Sequence, residues 1–452
     1  VTTADAIDGL PKPRRYYAAF GVSMAVIVSV LDGSMVVLAA PLIAEDLGIE
    51  AHSAIWVVSA YQLAAAMAML PVGRLADSLG RRRVYLACVV MFMLGAFSAA
   101  MANNLPTLVA ARFVQGLGGA GLMGVTNAML RDIYPRETFG RGLGLNAAAV
   151  AISVAVGPTL AALILAVAPW QALFLITTPI AALLLVLGWL TFPPDKPAGG
   201  ELDLASAALA AIAFGATLSA ANGIAHGQAM FLIAIATLVG IAGWIILARR
   251  ERGKPAPLLP LDLLAIRPYA LSLATLFASS GAQLIAYVAI PFMLQHDFAR
   301  TPLETGLLFG AWPLTFALAA AISGRLAARY SPGAICTFGL GLLAIGLALL
   351  ALLTPDASAA DIVWRMAVCG LGYGLFQPPN ARALITSAPV ERGGAANSTG
   401  AGVRIVGQAA GAAIVALVLR LAPEHGATLA LWFACVAALA SAGISSTRGV
   451  RS

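Results

Sequence analysis

"GRLADSLGRRRVYL", Gly73 to Leu86, and its echo "GRLAARYSPG", Gly324 to Gly333, decide how this chain is laid out. Both lie between long apolar runs, and they start 251 positions apart. A second pair keeps that offset: "RGLGLNAAAVA" from Arg141 returns as "RGGAANSTGAG" from Arg392. Arg112 and Arg365 also hold matching places in the fourth apolar run of each half. Two six-helix halves repeated in parallel orientation are the plan of a rocking transporter.

The apolar runs supply the helices. Of 452 residues, 60% are hydrophobic and only 10% charged, against about 25% charged in an ordinary soluble protein. Lipid is therefore the expected solvent for most of the chain. A spanning helix needs about 20 mostly apolar residues. Fourteen runs qualify, near 16–41, 54–76, 83–102, 106–130, 142–167, 170–192, 203–223, 229–248, 269–294, 303–328, 334–353, 361–386, 394–420 and 427–446. The first follows Lys12, Arg14 and Arg15 without a small-residue cleavage site, so it reads as a retained span rather than a secretory signal. The expected architecture is an all-α membrane protein. Residues 1–194 form one six-helix bundle, 195–256 a two-helix linker insertion, and 257–452 a second six-helix bundle.

Charge gives the orientation. Arg300 and Arg420 fall on one side and Arg112, Arg365 and Arg404 within spans, leaving 22 of the 27 Lys and Arg on the side of the termini. Basic residues concentrate on the cytoplasmic side of a membrane. Both termini are expected to be cytoplasmic, in a bacterial-type inner (plasma) membrane. The net charge of +7 thus reflects topology signals and phospholipid contacts, and no nucleic-acid partner is expected. Cys88, Cys336, Cys369 and Cys435 show no paired spacing, and the four histidines fall near loops. With no metal-ligand cluster, phosphate-binding loop or nucleophile triad, neither a metal site nor enzyme activity is expected.

Gly73, Leu75, Ala76, Asp77, Gly80, Arg81 and Arg82 match the loop motif between helices two and three of the major facilitator superfamily, and the chain resembles that superfamily throughout. Its six-two-six plan is similar to the fourteen-spanner drug:proton antiporter branch. "LDGSMVVLAAP" from Leu31, "RFVQGLGGAG" from Arg112 and "VGPTLAA" from Val156 resemble the first-helix, fourth-helix and helix-five antiporter motifs. Departures are Val37 in place of the usual Asn, Ala161 and Ala162 in place of paired glycines, and Ala328 where the first loop has Asp77. The resemblance implies the major-facilitator fold and export of lipophilic, cationic compounds in exchange for protons. It also implies a monomer that needs no cofactor beyond the proton gradient, its partners being small lipophilic substrates, protons and membrane lipids. Two rivals remain: an exporter of an endogenous amphipathic or anionic metabolite or lipid, and a non-transporting membrane sensor.

Particular residues carry these expectations. Asp32 is the one acid of 20 that falls deep within a span, and an intramembrane carboxylate marks a functional site. A carboxyl's proton affinity rises on burial and falls beside a cation, the property that a proton carrier requires. Counting about 1.5 Å per residue places Arg112 at a depth similar to Asp32. The pair is read as the proton-coupling site, the alternative being a structural salt bridge. Gly73, Asp77, Gly80, Arg81 and Arg82 are read as a conformational gate at a seam between the halves, against a role in topology and capping alone. Gly157 and Pro158 should kink the fifth span as a hinge. Tyr61, Gln62, Gln115, Asn127, Gln283, Tyr287, Trp312, Tyr373, Phe376, Gln377, Asn380 and Arg404 are the candidate substrate-binding residues, an aromatic and polar mixture suited to varied lipophilic ligands. Arg404 has no acid nearby in sequence; it meets either an anionic substrate group or Gln408, backbone carbonyls and water. "FQPPN" from Phe376 is expected to break the twelfth span and free carbonyls toward a cavity.

Overall fold

The computed structural model describes residues 9–195, 203–252, 254, 261–327, 329–389 and 392–448. These contain helices and no strand. The first half comprises α1 (Arg14–Asp46), α2 (Ala51–Leu79), α3 (Arg81–Ala100), α4 (Leu105–Ile133), α5 (Arg136–Leu165) and α6 (Gln171–Thr191). Next come α7 (Leu204–Ala225) and α8 (Met230–Glu251). The second half comprises α9 (Arg267–Phe292), α10 (Pro302–Phe309), α11 (Ala311–Leu326), α12 (Pro332–Ala351), α13 (Ala359–Thr386), α14 (Gly393–Leu421) and α15 (Gly426–Ser446).

Local signals start several of these helices. Asn104 accepts from the Thr107 N–H, with Pro106 in the first turn of α4. Thr301 and Glu304 close a reciprocal capping box on α10. Such caps satisfy amide donors that a helix leaves open at its N-terminus. Each expected span falls on helical residues, with α10 and α11 forming one apolar stretch. Among the described residues twelve helices are long and apolar enough to cross a membrane, and α2 is a thirteenth if its 48° bend between Met69 and Pro71 lies within one span. Helix α5 adds an apolar stretch over Ile152–Leu165.

Helices α1 to α6 pack chiefly among themselves, as do α9 and α11 to α15, while α10 packs chiefly on α5 of the first half. Helices α7 and α8 pair with each other, and α7 rests against both α2 and α14. Only 22% of the apolar window of α8 is buried, against 61% for α1, so α8 turns most of its surface to lipid. Asp203 caps α7 and also binds Arg250 in the last turn of α8 and Lys254 beyond its end. Those bonds, Lys254 foremost, hold its carboxyl well below the usual carboxylate range. The connections at 196–202, 253 and 255–260, and Ala328, lie outside the described residues.

Within the first half, α4 is clamped between α2 and α3, and its glycines make this approach possible. A Cβ on Gly118 would stand 2.5 Å from the Phe92 nitrogen and 2.6 Å from the Cys88 carbonyl. Backbone cannot yield there as a side-chain tip can. Gly118→Val is expected to destabilise the fold by about 1–3 kcal/mol or more, read as a lowered melting midpoint in detergent. An unchanged midpoint would mean that α3 and α4 are not held this closely.

Two faces of the molecule differ. The start of α1 is tied to the end of α6, with Arg14 donating to the Thr191 and Phe192 carbonyls. Arg448, beyond α15, donates to Leu271 near the start of α9. On the opposite face the halves meet directly: Gln295 donates to the Leu38 carbonyl at 3.1 Å, and Gly306 sits against Pro158 and Ala162. One apolar core there joins Met35–Ile43 of α1, Ala161 and Ala162 of α5, and Leu284–Leu294 of α9 and its extension. Toward the termini the core divides. One cluster holds Ala18, Tyr85, Met129 and Ile133; a separate one holds Tyr269, Leu273, Leu384 and Ala396. The halves are thus sealed away from the termini and less tightly joined near them.

Two prolines do not break the helix that contains "FQPPN". Helix α13 continues through Pro378 and Pro379 to Thr386. Each proline removes one backbone donor, a loss that a helix packed on neighbours absorbs. The Phe376 carbonyl accepts from the Cys336 thiol at 3.6 Å and faces packed protein. Helix α5 likewise runs unbroken past Pro158, while Gly157 lies against the Ser34 side chain of α1.

Candidate functional site

The deepest polar group of the first half is a closed network. Asp32 on α1 and Arg112 and Gln115 on α4 are all buried, with at most 1% of each exposed. The Arg112 Nη1 donates to Asp32 Oδ2 at 2.6 Å and to Gln115 Oε1 at 2.6 Å, and the Gln115 amide donates to Asp32 Oδ1 at 2.9 Å. Arg112 Nε donates to the Val57 carbonyl of α2 at 3.2 Å. The guanidinium lies over the rings of Tyr61 and Phe174, 4.6 and 5.4 Å from their centroids. Tyr61 and Ser29 share a hydroxyl hydrogen bond at 2.9 Å. Four helices therefore converge on one carboxylate. Both of its oxygens accept hydrogen bonds, one from the guanidinium and one from the Gln115 amide.

The loop between α2 and α3 makes a second cluster. Arg81 lies 3.5 Å from Asp77 and 2.8 Å from Asp132 at the end of α4. Asp195, after α6, accepts from the backbone N–H of Arg82 at 2.8 Å and pairs with Arg83 at 3.4 Å. Arg82 also donates to the Trp189 carbonyl at 2.6 Å. Gly80 has φ +104°, a region that disfavours side chains, and a Cβ there would strike the Asp195 carboxylate. Gly73 has open space beside it. All these partners of the gate residues lie in the first half except Asp195, the first residue of the linker insertion. Asp132 and Asp195 escaped the sequence reading.

The remaining candidates divide. Tyr287, Trp312, Tyr373 and Phe376 join Phe309 and Phe316 in one aromatic wall, with Tyr287 4.9 Å from Phe309 and 5.3 Å from Trp312. Trp312, Tyr373 and Phe376 are buried, and the Trp312 Nε1 has no hydrogen-bond partner. Gln62, Gln283, Gln377 and Arg404 are half-buried, and Asn127 is exposed on α4. Tyr61 and Gln115 belong to the Asp32 network. Asn380 stands apart, its carbonyl accepting from Arg448 at 2.7 Å and its amide reaching the Ser272 carbonyl at 3.4 Å. Arg365, the positional counterpart of Arg112, is spent on Asp361 at 2.9 Å.

The sequence pattern of the Major Facilitator Superfamily matches residues 22–416, and the chain belongs to that superfamily. It is 41% identical over 443 residues to the uncharacterized transporter YebQ of Escherichia coli (strain K12), covering 98% of this chain and 97% of that one. It is 29% identical over 399 residues to the multidrug efflux pump LfrA of Mycolicibacterium smegmatis, covering 87% and 79%. A solved bacterial homolog of the human lysosomal transporter Spinster, inward-facing and unoccupied, aligns with a TM-score of 0.71 at 14% identity over 97% of each chain. That likeness is one of fold. The protein is a multi-pass membrane transporter, not an enzyme.

Proposed function

We propose that this transporter exports lipophilic compounds in exchange for protons, as a member of the fourteen-spanner drug:proton antiporter branch. The observation that carries the reading is the buried Asp32–Arg112–Gln115 network, a carboxylate deep in the bundle hydrogen-bonded to one neighbouring guanidinium. Rocking that separates the pair favours protonation of Asp32, and re-forming it returns the proton to the other side. The proton gradient drives the cycle, and no cofactor takes part. Residues 1–194 and 257–452 act as the rocking bundles, with 195–256 beside their seam. The relation to LfrA supports efflux. Proteoliposomes holding the purified protein, given a pH gradient and a panel of neutral and charged lipophilic dyes, test the reading. Gradient-dependent dye movement is expected; absence of both that and dye counterflow would favour a membrane sensor.

Orientation completes the proposal: an inner membrane, with both termini in the cytoplasm. The four cysteines are buried and unpaired, so the wild type should react little with an impermeant maleimide. Gln228→Cys, exposed between α7 and α8, is expected to label in intact cells. Thr447→Cys, exposed after α15, is expected to label only after lysis. Labelling of Thr447→Cys in intact cells would reverse the topology.

A further inference from the structure

Charge inside the bundle does not balance. Asp32 neutralises Arg112, and Asp361 neutralises Arg365. Arg404 is left. It has no ion-pair or hydrogen-bond partner among the described residues, although the Tyr373 phenol lies within its electrostatic reach. Eleven residues into α14, it stands about 16 Å along the helix axis, near mid-membrane.

Its neighbours on α14 fix where it faces. Gly407 and Gly411 lie against Phe277 and Gly281 of α9, while Ile405 and Ala409 share an apolar cluster with Leu63 and Ala66 of α2. At 100° per residue, Arg404 and Gln408 fall between these two packed faces. One set packs on the second half and the other on the first, so the arc between them borders the space between the halves. A guanidinium at this depth is strongly disfavoured against lipid and is found beside water or a partner. Gln283 on α9 and Gln377 on α13 are also polar and half-buried within the second half. Tyr373 joins Arg404 to the aromatic wall of Tyr287, Trp312, Phe316 and Phe376.

A guanidinium without an acid offers a planar fork that matches a carboxylate or sulfonate bidentately. Beside it the aromatic wall suits a flat apolar body. We propose that the cargo is a lipophilic aromatic anion whose acidic group pairs with Arg404, an inference that rests on the proton-exchange reading above. The charge arithmetic then differs from that of a cation. One proton entering as one monoanion leaves moves two positive charges' worth inward, so an inside-negative potential drives export directly. Exchange of a proton for a monocation would be electroneutral.

Three pyrene probes of one body separate the cases: pyrene-1-sulfonate, the neutral sulfonamide, and a trimethylammonium derivative. With wild-type protein in proteoliposomes, the sulfonate is expected to bind at least tenfold tighter than the cation. Its gradient-driven transport should accelerate when valinomycin and potassium impose a potential negative on the side of the termini. Arg404→Gln should lower the preference for sulfonate over sulfonamide tenfold or more, chiefly through KM. Arg404→Lys, which keeps the charge, should recover part of it. Tighter wild-type binding of the cation, an unaltered preference in Arg404→Gln, or indifference to the potential would overturn the inference while leaving proton exchange in place. Failure of wild type to move any probe under the pH gradient would overturn both.

Discussion

Asp32→Asn is expected to yield a folded protein that still exchanges substrate down its gradient but no longer accumulates it at the expense of a pH gradient. Asparagine keeps the shape and one oxygen of the carboxyl, so the Gln115 amide or the Arg112 guanidinium retains an acceptor. Arg112 also keeps Gln115 Oε1, the Val57 carbonyl and the faces of Tyr61 and Phe174. Removing one partner of a buried ion pair outright costs about 3–5 kcal/mol, and these remaining contacts should hold the loss below that range. Coupling has no such reserve, because no other acid lies deep in a span. Counterflow of a neutral dye should persist at a rate near wild type, while uphill transport should fall at least about a hundredfold, equivalent to about 2.7 kcal/mol in a rate-limiting barrier. Uphill transport that survives the substitution would show that Asp32 is not the carrier. The search would then move to Asp77 and Asp361.

Why Asp32 could be read from the sequence, and Arg404's surroundings could not, is a matter of physical contrast. An acid flanked by "VIVSVL" and "GSMVVL" stands out because hydrocarbon tolerates so few charges. Its partner was legible too, since Arg112 falls at the same depth in a glycine-rich run. Helix positions were equally plain, because twenty apolar residues have few alternatives in lipid. What failed depended on tertiary packing. The continuity of α13 through Pro378 and Pro379 comes from neighbours that hold the helix straight, and those neighbours are distant in sequence. The partner of Asn380, Arg448, lies 68 positions away in the sequence. The loop's acids were missed for the same reason. Nothing in "RDIYPRE" or "PPDK" announces that Asp132 and Asp195 fold back onto Arg81, Arg82 and Arg83.

That loop supplies the second large effect, because two of its acids should behave in opposite ways. Asp195 is nearly buried, accepts from the first turn of α3 and fills the space that Gly80 leaves. It braces the first half in any state, so Asp195→Ala should act like loss of a helix cap, about 0.5–2 kcal/mol of stability. Transport per folded molecule should change little. Asp77 is different: it is 55% exposed, and its contact with Arg81, at 3.5 Å, is longer than the 2.8 Å contact of Asp132 with the same guanidinium. Such an exposed pair contributes no more than about 1 kcal/mol to stability. An acid so loosely held can be recruited when the halves close near the termini. Helix α14 begins on that face with no side-chain cap and no acid in its first turn, and the N-terminus of a helix attracts an anion. Asp77→Asn should therefore melt within a few degrees of wild type and bind dye with unaltered Kd, yet turn over about tenfold more slowly, equivalent to about 1.4 kcal/mol in the closing step. If Asp77→Asn instead loses stability and keeps its turnover, as expected for Asp195→Ala, the loop is a brace throughout, and the switch between states lies elsewhere along the seam.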